Sequence, residues 1–351
     1  VSKINTVTMM EEGRYITRPD GSGNPSRTSV SFGGDVAVAN RHGGLTKIYA
    51  RPEDCVESNG MPGIQTSQGG DDVLPWGVEE CVAWYTEFPA TNQRPVAYTQ
   101  GRLNPATCKY EDTKVWTVTS ATPGLPGTGG PGGVIAYRVN GDSGEIEDTV
   151  DIPEFDGSQL GAYGGAVDPF GNLWFVPMGS LLFGTKYLAK VDGVDLSYEL
   201  YEMPPNVNSY GVTVDQSGRV WVSSTLGLGA ARFDPATEKW GIVPEQLLST
   251  GGIAQAKNGP VWVATGNPAG AVAIDPNGLG ILTSVEVPGG DGVKGVGVDH
   301  YGYLWLVNDK AYRLDPNDDW SYEVYGGLTG PYTYSDMTGF ALKNTSCDPA
   351  E

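Results

Sequence analysis

Histidine is the commonest general base, and this chain of 351 residues has only two, His42 and His300. A serine or thiol nucleophile needs an adjacent base, so two scattered histidines give no argument for a Ser–His–acid triad. Carboxylates are the opposite case, because 42 Asp and Glu offer too many pairs for any one to support glycosidase chemistry. One acidic stretch has informative spacing. Glu57-Ser58-Asn59-Gly60-Met61-Pro62-Gly63-Ile64, beside Asp54, Asp71, Asp72, Glu79 and Glu80, can be set against the calcium loop D-x-[DN]-x-[DN]-G-x-I. Glu57, Asn59 and Ile64 fit it. Met61 and Pro62 replace an oxygen ligand and the turn glycine, and Gln68 replaces the closing glutamate. The stretch reads as a decayed calcium loop, and solvated loop charge is the preferred reading; calcium elsewhere in this acidic insertion is the alternative, with Asp54, Glu57, Asn59, Asp71 and Asp72 as candidate ligands.

Cys55 and Cys81 bracket this stretch, and with Cys108 and Cys347 they form no CxxC pair or zinc spacing. An even count in an acidic, Gly-rich chain points to disulfides and an oxidising compartment, extracellular or periplasmic. Cys55–Cys81 is the expected bridge and Cys81–Cys108 its rival, with Cys347 expected to be free or paired outside the chain. No signal peptide is visible, and the chain opens on strand-like sequence, so a leader is expected to have been removed or left out. The net charge of −20, with 22 scattered basic residues, argues against nucleic acid and against an anionic membrane surface. No apolar run reaches the ~18 residues a membrane span requires.

Glycine at 51 and proline at 25, with charged residues at only 18%, suit many short strands joined by tight turns. Those strands repeat. An apolar strand, a D-x-x-G turn and a strand with a central Trp occur at Val167 to Trp174, Val214 to Trp221 and Val298 to Trp305. Weaker copies sit at Ala256 to Trp262, Val30 to Val38, Lys114-Val115-Trp116 and Ser335 to Phe340. A second motif, an apolar pair ending in Asp or Asn, follows as Arg138-Val139-Asn140, Lys190-Val191-Asp192, Arg232-Phe233-Asp234, Ala273-Ile274-Asp275 and Arg313-Leu314-Asp315. Lys47-Ile48 is a copy without the acid, and Lys3-Ile4-Asn5 opens the chain.

A period of roughly 40 to 50 residues with this pattern predicts an all-β fold, a seven-bladed β-propeller of four-stranded antiparallel blades spanning residues 1–351 as one domain. The last blade is expected to be shared, with residues 1–16 completing residues 332–343 and leaving no open edge. Two insertions, 51–80 and 121–133, account for the one long interval between motifs. In such a ring the loops entering each first strand and leaving each second strand gather at one mouth of the channel. That mouth should collect Arg27, Asn40, Arg41, Arg94, Tyr163, Tyr210, Lys294, Asn308 and Tyr334. Guanidinium groups grip oxygens in pairs and tyrosine offers a flat face with a hydroxyl, so the set suits a small anionic or sugar-like ligand.

Through the x-Val-Asp-x-x-Gly-x-Val-Trp-Val units, as in Gly211 to Val222 and Gly295 to Leu306, the chain resembles NHL-repeat proteins and the streptogramin (virginiamycin B) lyases. The resemblance implies the propeller fold. For the lyases it also implies histidines at the channel mouth, an acidic residue and magnesium. The matching positions here read Tyr163-Gly164, Tyr210-Gly211 and Lys294-Gly295, so lyase activity is not carried over. The expected function is a secreted, non-enzymatic binding or scaffold propeller that recognises a small polar or anionic ligand, or a protein partner, at its mouth. The alternatives are a metal-dependent lyase and a structural subunit of a self-assembling extracellular structure.

Overall fold

The computed structural model describes residues 1–331 apart from 126, 179–185, 228, 246, 248, 249, 258, 290 and 291, and the statements below concern those residues. The D-x-x-G turn and the Trp that follows it form one physical unit. Asp168, Asp215 and Asp299 each open a turn, and Oδ1 of each accepts two backbone N–H groups, as from Ser217 at 2.9 Å and Arg219 at 3.0 Å. Oδ2 then accepts the indole N–H of Trp174, Trp221 and Trp305 at 2.9, 2.9 and 2.8 Å. One carboxylate thus fixes both the turn and the ring that fills the space behind it. Gly218 takes φ +78°, which the turn requires.

These hairpins grow into six four-stranded antiparallel sheets, each with the first strand innermost. Blade 1 is Pro25–Val30, Val36–Asn40, Leu45–Ile48 and Val82–Thr86; blade 2 is Val96–Tyr98, Lys114–Ser120, Val134–Asn140 and Ile146–Ile152. Blade 3 begins at Ala162–Val167, blade 4 at Val207–Val214, blade 5 at Ile253–Gln255 and blade 6 at Gly295–Val298. Apolar side chains pack between neighbouring blades, with Trp116, Trp174 and Trp221 wholly buried. That burial on both faces explains why the second strands read as continuous apolar runs.

The seven-bladed expectation is thereby corrected, since the described residues form six four-stranded blades. Among the described residues the amino-terminal Lys3-Ile4-Asn5 unit falls in a two-stranded sheet, Ser2–Ile4 with Glu11–Arg14, and not in a four-stranded blade. The repeat signature marks an outer turn and carries no information about whether inner strands accompany it. The pairing expected for residues 332–343 lies outside the described residues.

A basic residue on the third strand reaches the outer turn of the next sheet. Lys47 donates to the Gly141 carbonyl at 3.0 Å, Arg138 to Gly193 and Arg232 to Pro276. Arg313 of blade 6 does the same to the carbonyls of Thr6 and Val7, which places the amino-terminal hairpin next in order after blade 6. On its other side Tyr15 and Val1 pack with Val38, Ile48, Cys55 and Cys81 of blade 1. Between blades 6 and 1 lies a mostly apolar cavity of about 390 Å³, walled by residues that include Ile4, Val30, Val298 and Leu328.

Candidate functional site

Strand direction puts the D-x-x-G and Asx turns at one end of the ring and the loops before each first strand at the other. At the latter end the structure brings four of the expected residues together. Arg27, Arg94, Tyr163 and Tyr210 are all buried, at 3 to 4% exposure. The Tyr163 and Tyr210 rings lie 5.1 Å apart, tilted by 49°. The guanidinium carbon of Arg27 sits 5.0 Å from the Tyr163 centroid and 5.8 Å from that of Tyr210, while that of Arg94 sits 4.9 Å from Tyr163. Two cations therefore address one tyrosine ring, an arrangement favoured electrostatically by the ring's negative face.

Each arginine is also held in place by hydrogen bonds. Arg27 Nη2 donates across the channel to the Tyr210 carbonyl at 3.0 Å, and Arg94 donates from Nε to Asn92 Oδ1 at 2.7 Å and from Nη2 to the Gly127 carbonyl at 2.9 Å. Leu160 and Met178 pack on the tyrosine pair and give the cluster an apolar rim. The result is a pair of tilted rings flanked by guanidinium groups, a combination suited chemically to a flat ligand bearing oxygens.

The remaining residues of the expected mouth are placed elsewhere or used otherwise. Asn40 is wholly buried and braces the entering segment through Thr17 and Gly44. Arg41 donates to Asn24 Oδ1 at 2.7 Å. Asn308 caps its own turn by accepting from the Lys310 N–H. Lys294 is half-buried, and its carbonyl accepts from Gly252. Tyr334 lies outside the described residues. Sequence reasoning missed Lys186, whose ammonium donates to Asn208 Oδ1 and which burial draws below the ordinary lysine value. It sits just before a third strand, a position the mouth argument had not considered.

The acidic insertion uses its carboxylates to hold its own backbone. Glu80 accepts the N–H groups of Ser58, Asn59 and Gln65 at 2.6, 3.0 and 2.7 Å, and Glu79 accepts those of Ser67 and Cys81, both at 2.9 Å. Those bonds, from Gln65 and Ser58 foremost, hold the Glu80 carboxyl below its usual value. Asp54 pairs with Arg51 at 3.0 Å and Lys109 at 2.7 Å, Glu57 and Asp72 accept from the N–H groups of Gly60 and Gln68, and Asn59 donates to the Val78 carbonyl. Asp71 is exposed. Among the described residues no three His, Cys, Asp or Glu side chains are grouped so as to hold a metal ion.

The Cys55–Cys81 bridge is present, as expected, and it closes the base of the insertion. Cys108 is disulfide-bonded as well, so the rival Cys81–Cys108 pairing does not occur, and Cys347 lies outside the described residues. Cys108 belongs to a hairpin not foreseen from sequence, Arg102–Asn104 with Lys109–Glu111, set between the first two strands of blade 2. No described helix is long and apolar enough to cross a membrane.

No protein-family model and no curated protein matches the chain. Among solved structures, a streptogramin B lyase matches over 91% of this chain and 88% of its own, with a TM-score of 0.59 and 13% identity. A virginiamycin B lyase from Staphylococcus aureus matches over 90% and 89%, at 0.57 and 17% identity. A functionally unknown protein from Desulfotomaculum acetoxidans DSM 771 matches over 94% and 92%, at 0.58 and 14% identity. Identities this low speak to architecture, since unrelated sites recur on one scaffold. The chain has a streptogramin lyase-like β-propeller fold.

Proposed function

We propose that the chain is a non-enzymatic binding propeller working outside the cytoplasm, which recognises a small anionic ligand on the floor formed by Arg27, Arg94, Tyr163 and Tyr210. The observation that carries this reading is the convergence of two guanidinium groups on one tyrosine ring at 5.0 and 4.9 Å. Positive charge gathered at a water-poor site favours carboxylate or phosphate oxygens, because their attraction is less screened there than in bulk water. The Cys55–Cys81 bridge is in keeping with an oxidising compartment. Lyase chemistry is not favoured, as tyrosine and lysine stand where the resemblance would require histidine.

Isothermal titration with glucuronate, citrate and inorganic phosphate, against neutral glucose, tests the reading. At least one anion is expected to bind where glucose does not, with Arg94→Gln weakening it on the order of tenfold or more. Equal indifference to all four probes, or an affinity untouched by Arg94→Gln, overturns it.

A further inference from the structure

We infer that Asn92 is the positioning residue of this site, an amide that pins the Arg94 guanidinium over the Tyr163 ring without adding negative charge beside it. The inference rests on the anion-binding reading above and deepens it by naming what sets the site's preference for anions.

Asn92 is held from three blades. Its N–H donates to the Arg41 carbonyl at 2.8 Å, where the second strand of blade 1 ends. Its Oδ1 accepts from Arg94 Nε at 2.7 Å, ahead of the first strand of blade 2. Its Nδ2 faces Ser120 Oγ at 3.5 Å and lies against Gly161, at the start of blade 3, where a built Cβ would come within 2.9 Å of it. Glycine at 161 is what admits the amide. Asn92 itself is 1% exposed and takes φ +62°, a left-handed conformation uncommon outside glycine and better tolerated by asparagine than by most residues. Backbone of this kind persists where its surroundings fix it, and such positions gather at ligand sites.

A guanidinium only donates, so the atom that faces Arg94 Nε is the amide oxygen and not its nitrogen. That bond orients the guanidinium, whose carbon sits 4.9 Å from the Tyr163 centroid. Elsewhere the chain meets arginine with acid, as at Arg14 with Glu11, Arg138 with Asp148 and Arg219 with Asp215. A carboxylate at 92 would hold Arg94 more strongly than an amide does, because charge assists the hydrogen bond. It would also set a negative group beside the ligand, where like charges repel. The amide supplies the orientation alone.

NMR of the full chain with isotopically labelled arginine tests the positioning without a ligand, through the Nε–H signal of Arg94. Asn92→Gly suits the backbone conformation and is expected to speed exchange of that proton several-fold, with Asn92→Ala as a second variant. Unchanged exchange overturns the positioning role, whatever the mouth binds. Asn92→Asp keeps the side chain's shape and is expected to leave exchange as slow as in the wild type while weakening glucuronate, citrate or phosphate about tenfold. A role confined to structure predicts equal affinity, so an Asp variant that binds these anions as the wild type does refutes the charge argument. Should the wild type bind none of them, the anion-binding reading fails and the charge argument with it, and proton exchange alone decides the positioning.

Discussion

Arg27 of the first blade and Tyr210 of the fourth are joined across the channel, Nη2 to carbonyl oxygen, at 3.0 Å. A single side chain therefore ties opposite walls of the ring.

The tie should contribute to stability. Arg27→Met is expected to cost roughly 2–3 kcal/mol, from a charge-assisted hydrogen bond and two ring contacts, and to lower the urea midpoint. An unchanged midpoint would mean that the two walls hold their spacing without it.

The repeated turn acid should matter more. Asp215, wholly buried, receives Trp221, Arg219 and two backbone N–H groups. Asp215→Ala leaves these donors without their acceptor and is expected to destabilise by about 3–5 kcal/mol, whereas Trp305→Phe, which removes one donor, should cost about 1 kcal/mol. Comparable losses in denaturant titration would contradict the assignment of the carboxylate as the centre of the unit.

Acid should open the insertion. Because the hydrogen bonds to Glu80 hold its folded pKa below 4.5, its stabilising contribution is fully present above that value and is lost as pH falls through the folded value. Exchange at the Ser58, Asn59 and Gln65 amides is expected to rise on that descent ahead of the blade strands. Glu80→Gln should bring the same loosening to neutral pH; protection that is flat with pH would exclude the linkage. Asp299 works in the opposite sense. Its pKa is raised by burial, so its protonation does not weaken blade 6 in the same window.

The disulfide should extend its influence to the first strands. Cys55 and Cys81 are separated by 26 positions, and the loop they close sends Ser67 Oγ to the Arg14 N–H at 2.8 Å. Replacing both cysteines with serine is expected to cost about 3 kcal/mol and to increase exchange through residues 11–15. Destabilisation confined to 55–81 would show that the hairpin is held by blades 6 and 1 alone.

The sequence made the blade unit legible because one local pattern does two jobs. In Val214 to Trp221 the same aspartate closes the turn and holds the Trp, so both residues recur together at fixed spacing. Blade number was not legible from the same signal, for Lys3-Ile4-Asn5 carries the outer-turn motif yet belongs to a two-stranded sheet. At the mouth, Arg27, Tyr163 and Tyr210, all on first strands, lie together. Asn40 does not join them, because its amide is consumed by Thr17, a partner 23 positions away that no repeat announces. Lys186 was invisible for a related reason: its environment depends on Asn208, brought near only by the packing of blade 3 on blade 4.

Arg313 bonded to Thr6 and Val7 has a consequence for biosynthesis. Thr6 and Val7 leave the ribosome about three hundred residues ahead of Arg313 and must wait for that partner until it has been made. The hairpin is therefore translated well before it can be seated against blade 6.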